Sequence, residues 1–169
     1  MELKEVLLKR RSVRKFTDQA VEPQHIDELL HAAMSGPSAC NRRPWAFYVV
    51  DNEGVLEQLR KATHFSNIRV KLAIVVCGDL KRALPQQLAP YWIQDCSAAT
   101  ENILLRAVDL GLGAVWCGVH PQERGEKKVA EILNLAQDQI PLNIIYIGYP
   151  DEEIEARDQY EAEQVHYIH

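Results

Sequence analysis

The run LAIVVCG, from Leu72 to Gly78, is the feature that most constrains the fold. It is apolar at every position, and a strand of this kind has to be covered on both faces of its sheet. Three further apolar runs predict strands, at 45–50, 113–119 and 142–149. The sequence therefore predicts a central sheet with other elements packed against both sides.

Helical patterns fill the intervals between these strands. After Pro23, a residue favoured in a first turn, apolar side chains recur at the spacing of a half-buried helix, and Gly36 and Pro37 end the pattern. Other stretches that predict helices lie at 2–9, 53–64, 91–110 and 122–134. Two initial helices followed by alternating strands and helices predict an α/β or α+β fold, a central sheet wrapped by helices.

A chain of 169 residues, 47% of them hydrophobic, is expected to form one domain, 1–169. The net charge of −5 and the sequence pI near 5.7 argue against a nucleic-acid-binding protein with a wholly basic surface. No apolar run approaches the roughly 20 residues of a membrane span, and MELKEVLLKR lacks the apolar region of a signal peptide. We therefore expect neither a nucleic acid nor a membrane among the partners.

The four cysteines stand far apart and form no C-x-x-C pair, which gives no support to a zinc ribbon or a thioredoxin-like site. We interpret them as reduced, mostly buried thiols of a cytoplasmic protein. The six histidines form neither an H-x-x-x-H nor an H-E-x-x-H pattern, so no metal site is predicted. No stretch is typical of a nucleophile elbow, and we assign no catalytic side chain.

Positive charge is concentrated near the N-terminus, in KRRSVRKF at 9–16. Arg10, Arg11 and Arg14 lie close to the hydroxyl of Ser12, and guanidinium groups bind phosphate through paired hydrogen bonds. The alternative is that these cations only complement the dipole at the end of the first predicted helix. Two apolar residues interrupt the run, which predicts that it folds against something and is not a free tail.

Three other features have an ordinary structural explanation beside a functional one. In the loop GPSACNRRPW, 36–45, Asn41 offers a donor and an acceptor to a heteroaromatic ring edge, although such residues also favour plain turns. The stretch GLGAVWCGV, 111–119, follows a helix and has the wrong glycine spacing for a Rossmann site, yet Gly118 allows close approach of a flat ligand. Glu101, within a predicted helix, is either a buried polar contact or an exposed side chain.

Taken together, these pieces resemble a known family. The segments RRSVRKF, PSACNRRPW and DLGLGAVWCG occur in this order and are followed by IGYPDEE, by Arg157 and by a terminal VHY. In this combination the chain resembles the nitroreductase family of FMN-dependent oxidoreductases, in its short form, over essentially its whole length. The resemblance implies an α+β fold, a homodimer with FMN at its interface, and an exchanged C-terminal arm, 151–169.

The resemblance also implies which residues bind the cofactor. Arg10, Ser12 and Arg157 would bind the FMN phosphate, with Arg11 as a neighbour. Arg14 matches the cation that reaches the N1 and C2 carbonyl side of the flavin ring, where a fixed positive charge favours the reduced form.

The remaining ring contacts implied by the resemblance come from two places. The backbone at the strand end, Cys117 and Gly118, would approach flavin N5 and O4. The loop of the other subunit would line the ring and hydrogen-bond its edge through Pro37, Ser38, Ala39 and Asn41.

By this resemblance the chain would pass a hydride from NADH or NADPH through FMN to a nitroaromatic, quinone or similar electron-poor small molecule, by a ping-pong mechanism. Two positions depart from the family pattern. Arg43 stands where many relatives have Gln, and with Arg42 it favours an acidic acceptor or the NADPH phosphate, unless both side chains point to solvent. Glu155 stands where many relatives have Lys, which removes one expected phosphate cation.

Three alternatives remain open on the sequence. The chain could bind flavin without redox turnover, for carriage or sensing. It could be a specialised relative that performs reductive dehalogenation or flavin modification. Outside flavin chemistry, it could be a small interaction domain whose basic run binds an acidic partner, with an affinity that falls steeply with salt.

Overall fold

The computed structural model describes residues 1–153 and 155–169, so the predicted arm, 151–169, includes one residue outside the description. The helices are α1 (Leu3–Lys9), α2 (Pro23–Met34), α3 (Glu53–Leu59), α4 (Tyr91–Asp109) and α5 (Glu123–Leu133). The strands are β1 (Trp45–Val50), β2 (Leu72–Asp79), β3 (Gly113–Gly118) and β4 (Gln139–Gly148). Every predicted helix and strand is present, and α3 and β4 show the largest differences in their bounds.

The four strands form one sheet in the order β1-β2-β4-β3, and each neighbouring pair is antiparallel. The apolar run at 72–78 lies in the interior strand β2, where it is buried at every position. The prediction that this strand is covered on both faces is therefore confirmed.

Helices cover the sheet on both sides and divide its core into two clusters. Leu29 of α2 and Ile103 of α4 pack on one face, and Leu59 of α3 and Val129 of α5 pack on the other. All four side chains are completely buried, and full burial of such a side chain contributes about 1.5–3 kcal/mol relative to exposure. The predicted α+β arrangement of a sheet wrapped by helices is confirmed.

Helix α3 ends at Leu59, five residues before the predicted end at 64. Ser66 explains the early end, because its hydroxyl donates to the carbonyl oxygens of Arg60 and Thr63 and accepts from the Thr63 N–H. A buried hydroxyl that satisfies these backbone groups replaces the hydrogen bonds of a further helical turn. The chain therefore turns toward β2 through a loop at 60–71.

Strand β4 begins at Gln139, before the predicted start at Leu142. Pro141 lies within it, at a register shift against β2 where Val76 pairs with Asn143 and Cys77 with Pro141. The pairing of β4 with β3 begins only at Asn143. Proline is tolerated at such a bulge, because the hydrogen bond that it cannot donate is not required there.

In the single chain, every residue of the C-terminal segment at 155–169 is exposed. Its one regular feature is a short 3-10 turn, Ala162–Gln164, and its backbone meets the rest of the chain where the Arg157 N–H donates to the Leu8 carbonyl. Tyr167 and Ile168 are 77% and 97% exposed. Most of the surface of these two side chains is therefore left uncovered by the described chain.

All four cysteines are free thiols, and Cys77, Cys96 and Cys117 are buried whereas Cys40 is exposed. The prediction of mostly buried reduced thiols is confirmed. Within 1–153 and 155–169, none of the helices has the length and apolar character needed to cross a membrane.

Candidate cofactor site

The basic segment, Arg10–Phe16, is bonded to the free edge of β3 near the start of that strand and to the residues that follow β4, so it is part of the folded chain. Ser12 forms a parallel bridge with Ala114, and the Val13 N–H donates to the Ala114 carbonyl at 3.0 Å. Just past the segment, the Thr17 N–H donates to the carbonyl of Tyr149 at 2.9 Å. These bonds confirm the prediction that the basic run folds against the protein.

Two glycines make room for the apolar residues of the basic segment. Gly113 of β3 and Gly148 of β4 are directly opposite each other in the sheet. A Cβ on Gly113 would lie 2.7 Å from the Val13 side chain, and a Cβ on Gly148 would lie 3.1 Å from the Phe16 ring. The missing side chains therefore create the sockets into which Val13 and Phe16 fit.

One carboxylate fixes the backbone of the basic segment from outside. Glu152 accepts hydrogen bonds from the N–H groups of Arg14, at 2.7 Å, and Lys15, at 3.1 Å. The bond from the Arg14 N–H is the main cause that lowers the pKa of Glu152, with the Lys15 N–H and both side-chain charges acting in the same direction. The Arg14 guanidinium also donates to the Ser12 carbonyl at 3.3 Å.

The other predicted phosphate cations lie near the start of this segment. Arg10 Nε is 3.6 Å from a carboxylate oxygen of Glu101, and Arg11 is half-buried. Glu101 is a half-exposed ion-pair partner; burial raises the pKa of its carboxyl and the Arg10 charge lowers it in part. Arg157 reaches the same region, because its backbone bonds to Leu8, two residues before Arg10.

At the other end of β3 the surroundings are open. Among the described residues, apart from chain neighbours, no heavy atom lies within 4 Å of where a Cβ on Gly118 would stand. Burial raises the pKa of the adjacent Cys117 thiol to about 11, and the Arg14 charge lowers it in part. The site thus has cations along one part of the strand and free space at its end.

The loop at 37–41, which was predicted to line the flavin ring, is not bonded to the basic segment of its own chain. The Ala39 N–H donates to the buried carboxylate of Asp95 on α4 at 2.8 Å, and the Ser38 carbonyl accepts from the Asn41 N–H at 2.9 Å. In the part of the chain that the structure describes, the hydrogen bonds of this loop go to α4 and to residues within 38–43, and none joins it to the basic segment. Pro37 is exposed, and Ser38, Ala39 and Asn41 remain predicted contacts of a partner's cofactor.

The two arginines after this loop behave differently from each other. The Arg42 guanidinium donates to the carbonyls of Arg82, at 2.8 Å, and Ala83, at 3.4 Å, so this side chain is held on a neighbouring turn. Arg43 is exposed with a φ of 50°, and its backbone N–H donates to the Ser38 hydroxyl at 2.9 Å. Of the two, only Arg43 fits the alternative that the side chain points to solvent.

The sequence reasoning missed the loop between α3 and β2. Its Phe65 carbonyl accepts a hydrogen bond from the Cys117 thiol at 3.3 Å, and its ring is 65% exposed. The stretch HFSN at 64–67 contains no motif that predicts this contact. The contact depends on the pairing of β2 and β3 with β4, which joins distant parts of the chain. An exposed aromatic ring therefore stands beside the end of β3.

The arrangement suits a ligand that has a phosphate at one end and a flat ring at the other. From Ala114, beside Ser12, to Gly118 the strand extends over four residues, or about 13 Å. Arginine side chains and a serine hydroxyl are suitable phosphate donors, and the open space beside Gly118 permits close approach of a ring. The residues present therefore fit FMN. In 1–153 and 155–169 no group of three His, Cys, Asp or Glu side chains is arranged to hold a metal ion.

Comparison with known proteins identifies relatives over most of the chain. Residues 7–73 and 68–149 match the model of the Nitroreductase family. A protein of Methanothermobacter thermautotrophicus named "Putative NADH dehydrogenase/NAD(P)H nitroreductase" is 40% identical over 169 residues, covering 98% of this chain and 86% of that protein.

Solved structures share the fold. A protein from Parabacteroides distasonis, also named "Putative NADH dehydrogenase/NAD(P)H nitroreductase", superposes with a TM-score of 0.93 at 37% identity, over 99% of this chain and 98% of that one. An "FMN-dependent Nitroreductase" from Clostridium difficile superposes with a TM-score of 0.89 at 33% identity, over 98% of this chain and 99% of that one. The similarity therefore covers both the sheet and the segments that form the candidate site.

Proposed function

The chain belongs to the nitroreductase family, and from this membership we propose that it is an FMN-dependent oxidoreductase that uses NADH or NADPH to reduce a nitroaromatic, a quinone or a similar electron-poor small molecule. The observation that carries the proposal is the basic segment bonded to the start of β3, with open space beside Gly118 at the other end of the same strand. The printed name of the Clostridium difficile relative supports the choice of FMN.

When bound, FMN would supply the redox chemistry, the transfer of a hydride from NAD(P)H to the acceptor in a ping-pong sequence. Arg10, Ser12 and Arg157 bind the phosphate, with Arg11 close by. Each charge-assisted hydrogen bond contributes about 1.5–3 kcal/mol in favourable geometry. Glu101 orients the Arg10 side chain through the 3.6 Å ion pair, at the cost of some positive charge near the phosphate.

Arg14 places a positive charge beside the ring. Glu152 holds the Arg14 backbone, and the guanidinium donates to the Ser12 carbonyl, so this cation is anchored within the basic segment. A cation that is already in place stabilises negative charge as it develops on the ring, because little reorganisation is needed during the reaction.

No protein nucleophile is required in this proposal. Cys117 is next to the ring end of the site, but burial holds the pKa of its thiol at about 11, so it is protonated at neutral pH. The backbone N–H groups of Cys117 and Gly118 would contact the ring edge. The protein therefore binds the cofactor, orients it and polarises its ring, and no protein side chain forms a covalent bond in the reaction.

The proposed assembly is a homodimer of a single domain, 1–169, with two equivalent sites. In the partner, Pro37, Ser38, Ala39 and Asn41 would line the ring. The exposed Tyr167 and Ile168 support a C-terminal arm, 151–169, that packs on the other subunit. The four free thiols fit the predicted cytoplasmic location.

A visible absorption spectrum of the purified protein, with chromatography of the heat-released chromophore, tests the cofactor. We expect FMN near one per chain, and weaker FMN binding by about tenfold in Arg10→Gln than in the control Lys4→Gln, which changes an exposed cation on α1. A protein that stays colourless after FMN is added contradicts the proposal and favours the interaction-domain alternative.

Oxidation of NADH and NADPH with a nitroaromatic, a quinone and a halogenated phenol as acceptors tests the reaction class. We expect turnover with the first two. FMN binding without acceptor-dependent turnover would instead identify a flavin carrier or sensor, and release of halide alone would identify a specialised dehalogenating relative.

A further inference from the structure

A second cluster of positive charge lies outside the proposed FMN site. The loop after α3 and the first turns of α5 enclose a cavity of about 360 Å³. Three cations, Lys61, Arg124 and Lys128, line it, and among the described residues no carboxylate does. In a chain with a net charge of −5, a cavity whose lining carries three positive charges and no negative one indicates affinity for an anion.

The cations of this cavity are only partly neutralised by the protein. The Lys61 ammonium pairs with Glu57 at 2.8 Å, and the Lys128 ammonium donates to the Lys61 backbone carbonyl. Within the described residues the Arg124 guanidinium forms no ion pair or hydrogen bond. Arg124 and Lys128 are four residues apart on α5, a spacing at which like charges repel. An anion between them would remove that repulsion.

The beginning of α5 adds backbone donors to the same cavity. Helix α5 has 11 residues, and its N-cap residue, Gln122, makes no capping hydrogen bond through its side chain. The first N–H groups of such a helix have no partner within the helix, and the helix dipole favours an anion there, whereas the carboxylates of Glu123 and Glu126 in the same turn oppose it. Arg124 and Gly125, both in this first turn, line the cavity, so side-chain and backbone donors converge.

The cavity adjoins the ring end of the proposed FMN site. Thr63 and His64 line it, and the next residue, Phe65, accepts the hydrogen bond from Cys117 at 3.3 Å. Neighbouring residues are about 3.8 Å apart along the chain, so the cavity wall begins within one residue of the contact to β3. A molecule that reacts at the ring could therefore extend into the cavity.

We propose that this cavity binds the 2′-phosphate of NADPH and makes the chain prefer NADPH to NADH. The inference rests on the proposed function, because it concerns the electron donor of that reaction. A phosphate monoester carries between one and two negative charges at neutral pH and accepts several hydrogen bonds. Arg124 and Lys128 match that charge, and NADH lacks the group that they would bind.

Equilibrium binding of adenosine 2′-monophosphate to the FMN-containing protein, by calorimetry, tests the cavity without turnover. We expect this probe to bind at least about tenfold more tightly than adenosine, and Arg124→Gln and Lys128→Gln each to weaken it by about tenfold. The matched control is Lys127→Gln, which removes the same charge from an exposed position on the same helix outside the cavity. Equal binding of the probe and adenosine, or equal losses in all three variants, overturns the proposal.

Two further measurements distinguish a site for the 2′-phosphate from a general phosphate site and from a loss of folding. If inorganic phosphate or adenosine 5′-monophosphate binds as tightly as the 2′-monophosphate, the cavity is a general phosphate site and the proposal is wrong. Thermal unfolding of each variant, with its FMN content, shows that a loss of binding is local, since Lys128 also contacts the end of α3.

Steady-state kinetics then test the preference. The ratio of kcat/KM for NADPH to that for NADH should fall by about tenfold in Arg124→Gln, with the NADH value unchanged. An unchanged ratio overturns the inference and leaves the proposed function intact. If neither nucleotide is oxidised, the proposed function fails, and the binding experiment still decides what the cavity holds.

Discussion

The two ends of β3 carry a glycine each, and the two glycines have opposite surroundings. At Gly113 the space of a side chain is filled by Val13, at 2.7 Å from the position of a Cβ. At Gly118 the corresponding space is empty to 4 Å among the described residues. The first glycine therefore accommodates part of the chain itself, and the second leaves room for something else.

This difference separates a structural role from a binding role within one six-residue strand. The filled end secures the basic segment, and thereby the guanidinium groups of Arg10 and Arg14. The open end adjoins the surface where the ring of the proposed cofactor would lie. Substitutions along β3 should consequently divide into those that change folding and those that change ligand binding.

The largest effect is expected from Gly113→Ala, which forces a methyl group against Val13. We expect the free energy of unfolding to fall by about 1–3 kcal/mol, as is typical of overpacking, with weaker FMN binding because the basic segment is displaced. Urea unfolding and FMN titration measure the two effects.

A second substitution tests the cause of that loss. Val13→Ala removes two of the three Val13 atoms that the new methyl group would contact, so the double variant should recover part of the stability. Additive losses in the double variant would show that Gly113 matters for another reason.

The next largest effect is expected from Gly118→Ala, and it should leave folding unchanged. The added methyl group has space in the protein, so the free energy of unfolding should change by less than about 0.5 kcal/mol. FMN affinity should fall by about tenfold, because the methyl group occupies the side from which the ring approaches. Unchanged FMN affinity would contradict the binding role of Gly118, because the ring would then not lie at the open end of β3.

A smaller effect is expected from Glu152→Gln at the filled end. Because the folded protein lowers the pKa of Glu152 below its ordinary value of 4.5, its contribution is complete above that value and is lost as the pH falls through the lowered pKa. The substitution should cost less than about 1 kcal/mol near neutral pH, as for exposed pairs. Urea midpoints measured from neutral to acidic pH should converge for the two proteins at the acidic end, and parallel curves would contradict this account.

The smallest effect is expected from Cys117→Ala beside the open end. Since the thiol is protonated at neutral pH, turnover should change by less than about twofold, and iodoacetamide should modify the buried Cys117 only slowly in the folded protein. Loss of turnover at unchanged FMN content would show that the thiol takes part in the reaction.

The elements of the fold could be predicted from the sequence because their apolar patterns are local. The all-apolar run at 72–78 identified β2 and its two covered faces correctly. The early end of α3 could not be predicted, since it depends on the buried Ser66 hydroxyl and not on any pattern in the helix itself. The order β1-β2-β4-β3 was also beyond the sequence, because β2 and β4 pair across the intervening α4 and β3.

For the candidate site, the sequence predicted which types of residue are present but not the contacts that hold them in place. The basic run with Val13 and Phe16 was predicted to fold against something, and the structure identifies the partners as the facing glycines, Gly113 and Gly148. No local signal connected Glu152 to Arg14, or Phe65 to Cys117, because both contacts join distant parts of the chain. Which side chains touch FMN stays a prediction.

The sequence separation of these contacts also determines when the site can form during synthesis. Arg14 and Glu152 are 138 residues apart, so at about 5–20 residues per second a ribosome needs roughly 7–28 s to make the second after the first. Until β3 has been made, and until the later β4 pairs with it, the nascent chain carries its arginines without the strand edge that will hold them. The positive cluster is therefore made long before the carboxylate that fixes it, and it is among the last parts of the fold to take its final shape.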